Sequence, residues 1–374
     1  MANRKNRMTA EEKLFVSTQW QLIWRKFRMH KAAKLGGLLL LLLYFVAAFS
    51  EFVAPLDYTE RFNGQYILCP PMRVHIVHEG RLRAPFIYGI ERTNDPVTLK
   101  RVYTEDTSVL HPIRLFVKGA PYKLWGLIPG DIHLFSAVKE DGSVAPMFLF
   151  GTDGAGRDLF SRVMMGMRIS LTIGLVGVFF TFLLGSVLGG ISGYYGGAPD
   201  MIIQRLIEFL SSMPSIPLWM ALAAAMPKTW SSAQVYFTIT VILSLIGWCA
   251  LARTVRGKML QLRSEDFVTA AKLAGASDAY LITRHLLPGF ASFLIVNISL
   301  SIPSMILGET ALSFLGIGLR PPTVSLGVLL RDAQTVAAIA ISPWLMIPGI
   351  FIIITVLAFN FLGDGLRDAA DPYK

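Results

Sequence analysis

Six long apolar segments run through this sequence, and each has about the length of a helix that crosses a membrane. They cover residues 35–54, 169–191, 204–225, 232–252, 289–308 and 343–363. A transmembrane helix needs about 20 predominantly apolar residues, about twice as many as a strand of a membrane β-barrel. With 53% of its 374 residues hydrophobic and only 16% charged, the chain is too apolar for an ordinary soluble protein. These observations predict an all-α polytopic membrane protein with six transmembrane helices.

The distribution of Lys and Arg predicts how the chain is oriented. Residues 1–34 are strongly basic, which places the N-terminus in the cytoplasm by the positive-inside rule. A cleavable signal peptide is the alternative, but the segment that precedes the apolar core of a signal peptide is usually much shorter than residues 1–34. Alternation then places residues 55–165 outside and 253–286, like the C-terminus, in the cytoplasm. The net charge of +10 is explained by this topology and by attraction to anionic lipid, rather than by nucleic-acid binding.

Four units follow from this division of the chain. They are a basic segment containing an interfacial helix (1–34), transmembrane helix 1 (35–54), a β-rich external domain (55–150) and a transmembrane permease-like domain (151–374) whose cytoplasmic loop spans 264–289. In the first unit, Trp20, Ile23, Trp24 and Phe27 share one face of a helix, which suits the surface of the inner leaflet. A plain basic flank is the alternative.

The predicted external domain contains short alternating runs separated by Gly, Pro and Asn-Asp, a pattern typical of β-strands. His75 and His78 lie there, but no Cys or carboxylate cluster accompanies them at metal-ligand spacing. We therefore interpret them as ordinary histidines and expect no metal site. Cys69 and Cys249 fall in regions that the topology separates, so we expect no disulfide between them.

Motifs for covalent chemistry do not occur in the sequence. The stretch GTDGAGRD lacks the Lys of a phosphate-binding loop and does not follow an apolar strand. Neither a serine nucleophile elbow nor an H-E-x-x-H zinc motif is found. We therefore predict no catalytic residues and no cofactor bound by this chain.

The loop at residues 264–289 has an unusually ordered pattern. Ser264 is a suitable N-cap for a helix of about three turns that Gly275 ends, and Ser277 or Asp278 caps a second helix running to Pro288. The first helix carries one face of small and aromatic residues, Phe267, Ala270, Ala271 and Ala274. Such a face packs either under the protein's own helices or into a groove on a partner, and the pattern alone favours neither.

The same loop, DFVTAAKLAGAS...ITRHLLPG, resembles the EAA loop of bacterial ABC importer permeases, in the form typical of dipeptide and oligopeptide systems. The first Glu of that signature is replaced here by Thr269. The resemblance implies a coupling helix held in a cleft of an ATPase subunit. The residues that it assigns to ATPase coupling are Asp266, Phe267, Ala270, Ala271, Ala274, Gly275, Arg284, His285, Leu287 and Pro288.

Three further blocks resemble the same family, the C-type permease subunit: residues 151–171, 308–333 and the C-terminal FLGDGLRDAADPYK. The resemblance implies the type I importer permease fold in the bacterial inner membrane, and three kinds of partner. These are a homologous second permease, two ATPase subunits that bind ATP and Mg²⁺, and an external solute-binding protein. Peptides are the expected substrate. Oligosaccharide import, or a membrane-anchored ligand sensor, is the alternative.

Polar residues inside membrane segments are costly and mark candidates for the translocation path. The candidates are the polar residues Glu208, Ser212 and Glu309, together with Met213 and Pro214 at the proline break of segment three. For Glu208 the simpler interpretation is a pair with Arg205, and for Glu309 it is helix capping or contact with the partner permease. The prolines of segment three indicate either a pore-lining break or a simple kink.

Overall fold

Long helices and a four-stranded sheet make up the part of the chain that the computed structural model describes, residues 19–62, 65–96, 101–227 and 229–370. The helices are α1 (Gln19–Met29), α2 (Lys31–Ala48), α3 (Ser50–Val53), α4 (Leu159–Tyr195), α5 (Gly197–Ser212), α6 (Ser215–Ala224), α7 (Ser232–Leu262), α8 (Asp266–Leu273), α9 (Asp278–Tyr280), α10 (Leu287–Gly289), α11 (Ala291–Phe314), α12 (Leu326–Leu330), α13 (Val336–Ile341) and α14 (Ile347–Ala370). One π-helical segment (Leu281–Leu286) and two 3₁₀ turns (Arg331–Ala333 and Pro343–Met346) complete the helical elements. The C-terminal residues 371–374 of the predicted family block lie outside the described residues.

Five helices in the described ranges, α2, α4, α7, α11 and α14, are long and apolar enough to cross a membrane, the last together with the preceding 3₁₀ turn. Helices α5 and α6 would make a sixth crossing if they act together, although their axes are bent by 87°. Every predicted apolar segment is therefore helical, but the third one is broken. Several helices also extend past the predicted segments, as α4 does with 37 residues.

Helices α4 and α7 lie side by side along most of their length. A Cβ atom added to Gly185 would lie 2.9 Å from the Cβ of Leu251, and one added to Gly193 would lie 2.6 Å from the Cβ of Met259. Small residues on α4 therefore let the two helices approach closely. Because the residue numbers rise together along the contact, α4 and α7 run parallel.

The largest apolar core lies among the five long helices. Its buried members include Leu43 of α2, Leu171 of α4, Leu243 of α7, Ile306 of α11 and Ile352 of α14. Many large apolar side chains on the outer faces of the same helices are exposed. That arrangement suits a protein whose surrounding solvent is lipid.

The sheet is an antiparallel meander whose strands follow one another in chain order. Its strands are β1 (His75–His78), β2 (Arg81–Asn94), β3 (Arg101–Leu124) and β4 (Ile128–Ala137). Strand β3 pairs with β2 up to Pro112 and with β4 from Ile113 onward. The predicted β-rich segment is therefore present, although β3, with 24 residues, is much longer than the short runs of the sequence suggest.

Contacts join the sheet to the helices, so it is not an isolated unit. The imidazole Nδ1 of buried His133 on β4 is 2.5 Å from the carbonyl oxygen of Ala54, just after α3. His75 lies 3.3 Å from the Glu105 carboxylate, and His78 is 3.1 Å from the Tyr88 hydroxyl. Within the described residues, no group of three or more His, Cys, Asp or Glu side chains is placed to hold a metal ion.

The N-terminal helix α1 leads into α2 through His30, whose Nδ1 accepts a hydrogen bond from the Ala33 N–H. Trp24 and Phe27 are stacked on one side of α1, and Arg28 lies over the Trp24 ring. The predicted helix is therefore present. Its position at the membrane surface stays a prediction, and the side chain of Trp20 lies outside the described residues.

Candidate functional site

Helix α8 follows directly on α7 and is attached to the rest of the chain mainly by one side chain. Val268 is completely buried, whereas Asp266 and Thr269 beside it are exposed. The N-cap is Glu265 and not Ser264 as predicted. The Ser264 hydroxyl donates to the Gln261 carbonyl and so belongs to the end of α7.

The predicted apolar face of α8 is divided between two surroundings. Ala271 is half-buried against the chain's own core beside Val268. Phe267 is 47% exposed, and Ala270 and Ala274 are exposed as well. Leu273, which the sequence reasoning did not select, is 87% exposed; its position between Ala270 and Ala274 on the outer face is a signal that helical spacing could have supplied.

Gly275 ends α8 in the way that its position predicts. Its φ of +85° is unfavourable for residues with a side chain, and the Ala276 N–H donates to the Ala271 carbonyl at 3.0 Å. Ser277, not Asp278, caps the next helix by accepting from the Tyr280 N–H. That helix was predicted to run to Pro288 and ends one residue later, at Gly289. One segment of it has π-helical hydrogen bonding.

The second half of the loop contributes further predicted residues. Arg284 and Pro288 are exposed, and His285 and Leu287 are half-buried. The His285 ring lies 6.5 Å from the ring of Phe267, so it borders the exposed face of α8. All ten predicted coupling residues are thus exposed or half-buried, and their role in ATPase coupling stays a prediction.

A compact apolar cluster lies directly beneath α8 and joins it to three long helices. Its buried members are Tyr194, Leu251, Val255, Met259, Val268, Leu281, Leu286, Phe290 and Leu294. Polar contacts reinforce the cluster, since the Tyr194 hydroxyl donates to Asp278 at 2.5 Å and the Lys272 ammonium lies 5.0 Å from the centre of the Tyr194 ring. The cluster therefore links α8 to the ends of α4, α7 and α11.

Four predicted path residues lie near the break between α5 and α6. The Arg205 guanidinium donates to the Glu208 carboxylate at 2.8 Å, which confirms the expected pair; both side chains are exposed. Ser212 ends α5 and donates to the Phe209 carbonyl. Met213 and Pro214 form the break itself, where the 87° bend is far larger than a simple kink.

Glu309 has surroundings that differ from those expected. It lies inside α11, which continues to Phe314, so it does not cap the helix end. Its carboxylate is completely buried by this chain and accepts hydrogen bonds from three hydroxyl groups, those of Ser170, Ser313 and Ser325. It therefore lies in the interior of this chain and not on its surface.

The stretch GTDGAGRD has a structural role that sequence reasoning missed. Asp153 is buried and accepts from the N–H groups of Ala155 and Arg157, as well as from the Arg157 guanidinium at 2.7 Å. Asp158 caps α4 by accepting from the Ser161 N–H at 2.8 Å. Burial raises the pKa of Asp158 from 3.8 to about 6. The pair of Asp residues ahead of a helix is a capping signal that could have been recognised.

These features define a class of protein: a multi-pass helical membrane protein with a short amphipathic helix displayed between two long ones. The chain belongs to the family of binding-protein-dependent transport system inner membrane components, whose model matches residues 185–373. A second model, the N-terminal TM domain of oligopeptide transport permease C, matches residues 18–71. The prediction that the chain is a transport component and not an enzyme is thereby confirmed.

Two relatives identified by sequence give the same assignment. The oligopeptide transport system permease protein OppC of Haemophilus influenzae is 42% identical over 224 residues, which are 60% of this chain and 70% of that protein. The dipeptide transport system permease protein DppC of Bacillus subtilis is 40% identical over 225 residues, 60% of this chain and 68% of that one. Among solved structures, an inward-facing MetNI methionine ABC transporter chain matches with a TM-score of 0.43 and 17% identity, covering 55% of this chain and 95% of that chain.

Proposed function

We propose that this chain is a permease subunit of an ATP-driven importer that moves peptides across the bacterial inner membrane. The relatives at about 40% identity are oligopeptide and dipeptide permeases, which supports this substrate class. A homologous second permease completes the translocation path, and an external solute-binding protein delivers the peptide. Two separate ATPase subunits bind ATP and Mg²⁺ and supply the energy.

The exposed face of α8 is the observation that carries this proposal. Phe267 and Leu273 are large apolar side chains that this chain leaves uncovered, and Ala270 and Ala274 between them allow a partner's backbone to approach closely. An amphipathic helix with this arrangement fits an apolar groove on a partner. The ATPase subunit is the partner that the family implies.

Coupling follows from the contacts beneath that face. When the ATPases close on ATP, they push α8, and Val268 passes the displacement to the apolar cluster at the ends of α4, α7 and α11. The bend between α5 and α6 separates two rigid helices that can change their mutual angle as the path switches from inward-facing to outward-facing.

We further propose that α5 and α6 together form one broken crossing, giving six in all. Since α4 and α7 run parallel, the segment between them has to return the chain to the other side of the membrane. With both termini in the cytoplasm, six crossings then place α8 in the cytoplasm and the sheet outside. This topology agrees with the predicted external domain at residues 55–150 and the predicted permease domain at residues 151–374.

The test replaces an exposed alanine of α8 with a large charged residue. Ala270→Arg should prevent ATPase subunits from co-purifying with the chain in nanodiscs and should abolish ATP-dependent peptide uptake. Ala271 is unsuitable because it also contacts the chain's own core. Ala340→Arg is the matched control, an exposed alanine on the short helix α13 at the opposite end of the long helices. Normal ATPase binding by Ala270→Arg would refute the docking site.

Substrate class is tested separately by reconstitution with the cognate ATPases and binding protein. ATP-dependent accumulation of labelled peptides, without accumulation of labelled oligosaccharides, is the expected result. Accumulation of oligosaccharides alone would contradict the peptide assignment while leaving the docking site intact.

A further inference from the structure

The tip of the β3–β4 hairpin, residues 123–129, is bonded to the end of transmembrane helix α2. The indole N–H of Trp125 donates to the carbonyl oxygen of Ala48, the last residue of α2, at 3.0 Å. The backbone N–H of Trp125 donates to the Glu51 carboxylate at 3.3 Å. The hairpin tip therefore reaches down beside the helix and does not stand above it.

The position of Ala48 along α2 indicates how deep the tip lies. Lys31 and Lys34 occupy the first turn of α2, and Lys side chains at a helix end extend to the headgroup region. From Lys34 to Ala48 the helix rises about 21 Å at 1.5 Å per residue. The hydrocarbon core of a bilayer is about 30 Å thick. Ala48, and the hairpin tip bonded to it, thus lie within the depth of the hydrocarbon core on the side of the sheet.

The side chains of the tip suit that depth. Trp125 is 53% exposed, Leu127 82% and Ile128 63%. On α2 the residues that approach this level are also apolar and exposed, Leu41 by 68% and Phe45 by 57%. The tip therefore continues the apolar surface of a transmembrane helix, and the occupant of that surface is lipid. Lys123, exposed at the start of the tip, suits the phosphate groups of the headgroup layer.

Trp125 also covers a buried ion pair at this level. Arg168 of α4 pairs with Glu51, and each side chain is about a tenth exposed. The Arg168 guanidinium carbon lies 4.5 Å from the centre of the Trp125 ring, and its Nε donates to the Ala47 carbonyl at 2.8 Å. Charged groups at hydrocarbon depth are stable only when other groups screen them from lipid. The indole ring provides that screen.

We propose that the hairpin tip inserts into the membrane leaflet on the side of the sheet, where it anchors the sheet to lipid and seals the Glu51–Arg168 ion pair. Neither matched family region includes residues 72–184, so the tip lies outside both matched regions. The proposal concerns lipid acyl chains and headgroups and is independent of the transported substrate.

Site-specific fluorescence quenching tests the insertion. Leu127→Cys in the full chain is labelled with an NBD maleimide and reconstituted in nanodiscs with or without doxyl-labelled phosphatidylcholine. Val102→Cys, an exposed position at the start of β3 and far from the hairpin tip, is the matched control. Cys69 and Cys249 are buried, and burial raises the pKa of the Cys69 thiol to about 12. The unsubstituted chain measures the residual labelling.

The expected result is severalfold stronger quenching by doxyl lipid at position 127 than at 102, and the reverse order with aqueous iodide. Iodide quenching at 127 equal to that at 102 would overturn the proposal, because the tip would then be in water. Protection of 127 from both quenchers would overturn it too, since the tip would then be covered by protein, such as the second permease.

Discussion

Replacing Glu309 with alanine tests a polar network whose central carboxyl group is completely buried. Its carboxylate accepts from the hydroxyl groups of Ser170, Ser313 and Ser325 at 2.7–3.0 Å. Each hydroxyl in turn accepts from one backbone N–H, those of Leu326, Leu319 and Val328 respectively. The carboxylate therefore organises the segment that follows α11 through three serines, and Glu309→Ala removes the common acceptor.

The expected loss of stability follows from the number of hydroxyl groups that lose their hydrogen-bond acceptor. A buried donor that loses its partner costs about 1–3 kcal/mol, and Glu309→Ala leaves three hydroxyl donors without an acceptor. Removing the buried carboxyl group also removes the cost of its own desolvation, so we expect a net destabilisation at the lower end of the summed range, about 3 kcal/mol. In thermal unfolding of the purified chain, followed by circular dichroism, the midpoint should fall by about 4 °C, because a chain of 374 residues has an unfolding entropy of about 0.8 kcal/mol/K.

Two comparisons make this prediction specific. Glu309→Gln keeps one oxygen that can still accept from Ser313 and Ser325, so it should lower the midpoint less than Glu309→Ala does. Ser299→Ala is the control, because the Ser299 hydroxyl only donates to a carbonyl of its own helix, that of Ile295, and its loss should change the midpoint very little. If Glu309→Ala unfolds at the same temperature as Ser299→Ala, the network does not hold the segment and the reasoning is wrong.

Three further predictions use the same unfolding assay. Gly189→Ala should destabilise the chain by about 1–3 kcal/mol, because the added Cβ would lie 2.5 Å from a carbonyl oxygen of α7. The neighbouring Gly190→Ala is the control. Its added Cβ would lie 3.8 Å from the nearest atom, so it should be neutral or stabilising. Because burial raises the pKa of Asp158 to about 6, the folded chain binds a proton at a higher pH than the unfolded chain does as the pH is lowered. The midpoint of the wild type relative to Asp158→Asn should therefore rise from pH 7 to pH 5, and an unchanged difference would contradict this. Trp125→Ala should lower the midpoint by uncovering Arg168, whereas Trp125→Phe, which keeps a ring, should retain most of the stability.

Hydropathy and helical spacing were sufficient to predict the long helices and the short helix α8. Both signals depend on residues close together in the sequence, as Gly275 and Ser277 illustrate at the ends of their helices. The side of α8 that faces the protein was not predictable in this way. It depends on Val268 entering a cluster whose other members come from α4, α7 and α11.

The polar residues show the same limit more clearly. Glu208 finds its partner three residues away, and that pair was predicted correctly. Glu309 bonds to Ser170, which is 139 residues away, so no local pattern indicated its surroundings. Likewise Glu51 pairs with Arg168, which is 117 residues away, so this pair joins the segments that precede and follow the sheet in the sequence. Long-range polar contacts inside the membrane are the part of this structure that sequence periodicity cannot supply.

The distribution of these contacts determines which parts of the chain can move. Glu309 and Arg168 connect α4 to α11, to the segment after α11 and to the hairpin, so the half of the bundle nearest the sheet is held by buried polar groups. At the other end α8 is held mainly through Val268, and α5 buries only Ile207 against its neighbours. We therefore expect a force applied to α8 to displace the ends of α4, α7 and α11 about a fixed region near the sheet. The bend between α5 and α6 is then the place where the change in angle is largest.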